Sequence, residues 1–112
     1  MVQVEVAHDG EVTVCRPTGE LDAFTVSTFR EQLAALAGAP EVVIDLGGVP
    51  FMDSAGLGAL IGGIRKLREA GGKVVVVCAR SAVLRLLHTT GFDRMVSVVS
   101  EYSETRSAFD EQ

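Results

Sequence analysis

Val42-Val43-Ile44-Asp45-Leu46 and Lys73-Val74-Val75-Val76-Val77-Cys78 bracket a stretch in which Leu57, Leu60, Ile61, Ile64 and Leu67 recur at helical spacing. Both bracketing runs are short, apolar and mostly β-branched, the pattern of strands buried on both faces. Gly71-Gly72 stops the helix between them. A strand, a helix and a second strand in this order imply a right-handed crossover and a parallel pair.

Outward from this unit the pattern continues. Towards the N-terminus, Val2, Val4 and Val6 alternate with Gln3 and Glu5, and Val12 and Val14 resume the alternation after the turn His8-Asp9-Gly10. Alternating runs joined through Asp-Gly predict an antiparallel hairpin. Thr18 to Asp22 reads as a loop, after which Val26, Phe29, Leu33 and Leu36 mark a helix with Thr25 as its N-cap and Gly38 and Pro40 as its stop. Towards the C-terminus, Ser81 caps a helix carrying Val83, Leu84, Leu86 and Leu87, Val96 to Val99 is a fifth strand, and Tyr102 to Phe109 a last helix. The expectation is one α/β domain over residues 1–112, in the order ββαβαβαβα, with a mixed, mostly parallel sheet.

The 112 residues, 47% hydrophobic and 22% charged, suit one globular domain and exclude a disordered or fibrous chain. A chain of this size buries roughly 65% of its unfolded surface, enough to fold without staples. Cys15 and Cys78 are too few for a disulfide framework, and they read as small packed residues. No signal peptide pattern opens the chain, and its longest apolar run, Val74 to Ala79, is far too short to span a bilayer. The expected setting is soluble and cytoplasmic.

The net charge of −5 argues against nucleic acid as a direct partner. The charge is laid out in blocks. Residues 1–53 carry nine acids against Arg16 and Arg30, whereas residues 65–94 carry Arg65, Lys66, Arg68, Lys73, Arg80, Arg85 and Arg94 against Glu69 and Asp93. Residues 54–64 between them carry no charge.

That uncharged block opens the second helix. Gly58 and Gly62 project away from its apolar stripe, and each costs about 1 kcal/mol relative to alanine inside a helix. Packing against the sheet accounts for them poorly. A flat face that lets a partner backbone come close accounts for them better. Ser54 stands at the helix start, where its hydroxyl can act as N-cap. The free amides and the positive end of the dipole at such a start also suit an anion, so a phosphate on Ser54 is expected to be held there. Asp22 and Asp53 read either as loop carboxylates in local turn and dipole chemistry or as groups that position the serine and meet a partner.

Gly19-Glu20-Leu21-Asp22, Val42-Val43-Ile44-Asp45-Leu46 and Phe51-Met52-Asp53-Ser54-Ala55-Gly56-Leu57-Gly58 together resemble the STAS domain family, and within it the bacterial anti-sigma factor antagonists. The resemblance runs over nearly the whole chain and is most specific in Asp-Ser-x-Gly-Leu-Gly. It implies a regulatory module and not an enzyme, with no cofactor and no metal. It further implies a partner that is both an anti-sigma factor and a serine kinase, whose capture releases a sigma factor. Phosphorylation of Ser54 ends that binding and a serine phosphatase restores it. Asp22 and Asp53 match the family's acidic positions, and Ala55 stands where many relatives have a second hydroxyl. Asp22, Asp53, Ser54, Gly56, Gly58 and Gly62 are the expected partner site. The oligomeric state is left open.

Other readings compete. STAS modules also serve stress-signalling complexes, transporter tails and lipid-trafficking machinery, where binding would not depend on Ser54. Gly56-Leu57-Gly58 with Gly62 and Arg80 has the look of a nucleotide site, but its glycines lie well beyond the end of the preceding strand. A serine hydrolase elbow needs glycine where Met52 stands, and neither His8 nor His88 is tied to Ser54 by a motif. Two cysteines and two scattered histidines make a poor zinc set.

Overall fold

The computed structural model describes residues 2–112. The chain forms β1 (Gln3–Asp9), β2 (Val12–Thr18), α1 (Val26–Ala34), β3 (Glu41–Asp45), α2 (Ser54–Glu69), β4 (Lys73–Val77), α3 (Ser81–Thr89), α4 (Phe92–Met95), β5 (Ser97–Val99) and, after a 3-10 turn at Tyr102–Glu104, α5 (Thr105–Asp110). This is the expected order, with the single-turn α4 added. Four residues closing on Val96 are too few to show helical periodicity.

The five strands lie in the order β1-β2-β3-β4-β5. β1 and β2 pair antiparallel, and every later neighbour pairs parallel. Asp9 pairs with Val12, so the hairpin loop is Gly10-Glu11, with Gly10 at φ +62°. Because each right-handed crossover steps to the next strand in the same direction, α1, α2 and α3 all fall on one face. The strands alternate accordingly. Val42, Ile44, Val74 and Val76 pack with Phe29, Leu33, Leu60 and Ile64 on that face. Val14, Val43, Val75 and Val77 face the other way, against Ala108 and Phe109 of α5. Both faces of β3 and β4 are thus buried, as their unbroken apolar runs require.

The caps differ in detail from expectation. Thr25 occupies the N-cap position of α1 but makes no capping bond, and α3 begins at Ser81 with Arg80, not Ser81, as its N-cap. Among the described residues no helix is long and apolar enough to cross a membrane.

Candidate functional site

The loops that follow β2 and β3 leave the same end of the parallel sheet and continue side by side. Gly19 N–H donates to the Gly48 carbonyl (3.0 Å) and Leu21 N–H to the Phe51 carbonyl (3.0 Å), while Asp53 N–H returns to the Leu21 carbonyl (3.2 Å). Leu21 and Met52 form a parallel bridge, both of them buried. This two-rung extension of the sheet sets Asp22 alongside Asp53, and Ser54 follows at once as the first residue of α2.

The N-cap of α2 is Asp53 and not Ser54. Its backbone is extended (φ −103°, ψ −172°), and its Oδ1 accepts from the amides of Ala55 (2.9 Å) and Gly56 (3.0 Å). Leu57 N–H is bonded to the Asp53 carbonyl (2.9 Å). That last bond is the first i→i−4 bond of the helix; of the four amides before it, those of Asp53, Ala55 and Gly56 are taken, which corrects the expectation that they are free to hold a phosphate. The correction has a consequence for Ser54. Its side chain is exposed, and no side-chain hydrogen bond among the described residues involves its hydroxyl. A carboxylate is the stronger cap here because it accepts two amide protons at once.

Asp22 is engaged locally. Its Oδ1 accepts from Phe24 N–H (2.9 Å), and the Thr25 hydroxyl accepts from Asp22 N–H (3.1 Å) while donating to the Glu20 carbonyl (2.8 Å). These bonds stiffen the loop and turn Phe24 into water, where it is 96% exposed. Phe51 on the adjoining loop is 48% exposed, whereas Phe29, Phe92 and Phe109 are fully buried. The sequence reading missed both exposed rings. Phe24 lies two residues before Val26, half a helical turn off the apolar stripe of α1, and that offset was the available signal.

The glycines of α2 divide into two kinds. A Cβ on Gly58 or Gly62 meets no atom within 4 Å, so these two do lie on an open surface that needs no glycine for packing. Gly56 does not share that surface: it is buried, and a Cβ there would sit 2.3 Å from the Leu21 carbonyl oxygen. Its role is to let α2 approach the Leu21–Met52 bridge. Gly63 plays the same part against Leu33 of α1 (2.5 Å).

Several groups of the competing chemistries have local partners of their own. Arg80 Nε donates to the Gly47 carbonyl (2.9 Å), a loop bond and not an open phosphate partner. His88 Nδ1 contacts Asp93 (2.9 Å), and His8 contacts Thr13 in the hairpin. Among the described residues no group of three His, Cys, Asp or Glu is placed to hold a metal ion. Cys15 and Cys78 are free and buried.

The model of the STAS domain matches residues 3–108. The chain belongs to the STAS domain family. Within the family it is 30% identical over 100 residues to the anti-sigma F factor antagonist of Paenibacillus polymyxa, covering 87% of this chain and 86% of that one. The crystal structure of an anti-sigma factor antagonist from Mycobacterium paratuberculosis superimposes with a TM-score of 0.85 at 28% identity, over 98% of this STAS domain and 95% of that chain. The anti-sigma factor antagonist SpoIIAA in its unphosphorylated form gives 0.68 at 25% identity, over 95% and 94% of the two chains. The Bacillus cell fate determinant SpoIIAA in its phosphorylated form shares the fold, with a TM-score of 0.69 at 23% identity and 96% and 98% coverage. These relatives are regulators by name and not enzymes.

Proposed function

We propose that this STAS protein is an anti-sigma factor antagonist controlled at Ser54. Unphosphorylated, it binds an anti-sigma factor that is also a serine kinase and so frees a sigma factor. A phosphate on Ser54 ends the binding, and a serine phosphatase removes it. The observation that carries this reading is the uncommitted Ser54 hydroxyl, exposed at the start of α2 because Asp53 has taken over the cap. A hydroxyl engaged in capping would have to leave its amide before it could attack a γ-phosphate. The kinship to anti-sigma factor antagonists supports the assignment of the partner.

The switch follows from charge. Phosphorylation adds about −1.5 to −2 charges. With the Ala55 and Gly56 amides held by Asp53, few donors are left to offset them, and Asp53 and Asp22 stand in the adjoining strips. A partner seated on Ser54 meets this charge directly. One unit-charge repulsion at about 4 Å amounts to about 4 kcal/mol at an effective dielectric of 20, roughly a thousandfold in affinity. No change of fold is needed.

The test is phosphorylation by each anti-sigma serine kinase of the source genome, purified and supplied with Mg-ATP. The expected result is one phosphate on wild type and none on Ser54→Ala, with Ser54→Ala still bound and Ser54→Asp released. Equal binding by Ser54→Asp and wild type would overturn the charge switch.

A further inference from the structure

We infer that Phe24 and the groove between Phe51 and α3 are the two apolar anchors of the partner interface, and that the partner segment lying in the groove is acidic. This rests on the proposed kinase partner and specifies how it is recognised.

Two of the five phenylalanines are left in water, and they stand on two adjoining loops, Phe24 on the one that enters α1 and Phe51 on the one that leads to Ser54. Aromatic side chains held at a surface are the usual centre of a protein interface, because a ring that enters a partner pocket buries much area at small entropic cost. Phe24 is prepared for this. Its backbone is bonded to Asp22, and Thr25 clamps the same loop at both ends, so little ordering remains to be done on binding.

Phe51 forms one wall of a groove of about 390 Å³, with Met52, Ala82, Val83 and Leu86 as its apolar surface and Arg85 at its edge. Two threonines also line it, but the Thr89 and Thr90 hydroxyls donate to the Arg85 and Leu86 carbonyls within α3. Arg85 is then the one lining side chain with donors to offer. It is exposed and has no carboxylate within ion-pair distance among the described residues. A groove with an apolar floor and one unpaired guanidinium fits a segment that carries apolar side chains beside carboxylates. Phe51 and Met52 of the groove wall lie three and two residues before Ser54, so a phosphate there would add its charge near the end of the groove that an acidic segment fills.

The test measures affinity by calorimetry between the purified kinase and wild type, Phe24→Ser, Arg85→Glu, and Glu11→Lys in the hairpin loop as control. All three substituted positions are exposed, so unchanged melting curves verify the fold. Phe24→Ser and Arg85→Glu are each expected to weaken binding at least about tenfold, with Arg85→Glu also flattening the salt dependence and Glu11→Lys without effect. Wild-type affinity in both variants, with Ser54→Asp still released, overturns the anchors and leaves the kinase reading standing. A loss with Phe24→Ser alone overturns the acidic segment. A wild type that neither binds nor is phosphorylated by any anti-sigma kinase removes both readings. Sedimentation of the free protein covers the remaining occupant: a dimer dissolved by Phe24→Ser would assign the surface to a second copy and overturn the proposal.

Discussion

Asp53 and Ser54 stand next to each other and carry different loads, and substitution separates them. Asp53→Ala removes the acceptor of two amide protons at the start of α2 and is expected to cost about 1 kcal/mol, a fall of roughly 4 °C in melting temperature. Ser54→Ala removes a hydroxyl with no intramolecular partner and should stay within about 0.5 kcal/mol of wild type in the same melting experiment. The glycines divide as sharply. Gly58→Ala places a methyl in open space and removes a flexible residue from a helix, so it should stabilise the domain by up to about 1 kcal/mol. Gly56→Ala drives a methyl against the Leu21 carbonyl, which also receives the Asp53 N–H, and should cost about 2–3 kcal/mol. Urea midpoints of the two variants should therefore move in opposite directions. If the open face is the docking face, Gly58→Ala would gain stability and lose partner affinity together.

Among the elements, α5 does the least obvious work. With Tyr102 of the preceding turn it covers the sheet face opposite α1, α2 and α3, inserting Phe109 against Val43 and Val75. Phe109→Ala is expected to cost about 3–5 kcal/mol by equilibrium unfolding, a large share of a small domain's stability. α5 is also latched at its edge. Arg106 bonds both oxygens of Glu41 at the start of β3 and reaches Asp110 one turn on. The Arg106 guanidinium holds the Glu41 carboxyl below its ordinary value of about 4.5. A carboxyl whose value is lower in the folded chain than in the unfolded one stabilises the fold above the unfolded value, and that contribution is lost as the pH falls through the folded value. The stability difference between wild type and Glu41→Gln should therefore be constant near neutrality and shrink below about pH 4.5, as denaturant midpoints across pH will read.

At the scale of the molecule, the sequential strand order places three helices on one face and the loops of the candidate site at one end of the sheet. Nothing in that arrangement needs to move for Ser54 to be reached. The central strands carry a built-in reporter of global opening. Cys15 and Cys78 are buried, and burial pushes the Cys15 thiol up to about 11. Neither thiol should react with a disulfide reagent at pH 8 in the native protein. Both should react in guanidinium, with a midpoint that coincides with the loss of circular dichroism. Charge also organises the whole. The acids of residues 1–53 and the bases of residues 65–94 are far from evenly paired, and the ion pairs of the described residues involve only Arg16, His88 and Arg106 among the bases. Although the chain as a whole carries −5, binding of an acidic segment at the Arg85 groove should weaken as ionic strength rises in wild type, and less so in Arg85→Glu.

The order of elements could be read from the chain because each rests on neighbours in sequence: unbroken β-branched runs for β3 and β4, the 57–67 apolar stripe for α2, Asp9-Gly10 for the hairpin. Ser54, Asp53 and Asp22 were legible through a motif, and Gly58 and Gly62 through the angle they make with that stripe. Three features were out of reach because contacts distant in sequence decide them. Which of Asp53 and Ser54 caps α2 is settled by the Leu21 carbonyl, which draws Asp53 N–H into the extended bridge and leaves Ser54 inside the helix. Whether Gly56 faces partner or protein depends on the same Leu21 carbonyl, 35 positions earlier in the chain. The outward turn of Phe51 follows from how two loops, joined by one bridge, leave α3 to form the facing wall, whereas Phe24 left a sign in the chain through its offset from the α1 stripe. Local periodicity records the burial of an element against the sheet. It cannot record the meeting of two loops, since no spacing in the chain encodes it.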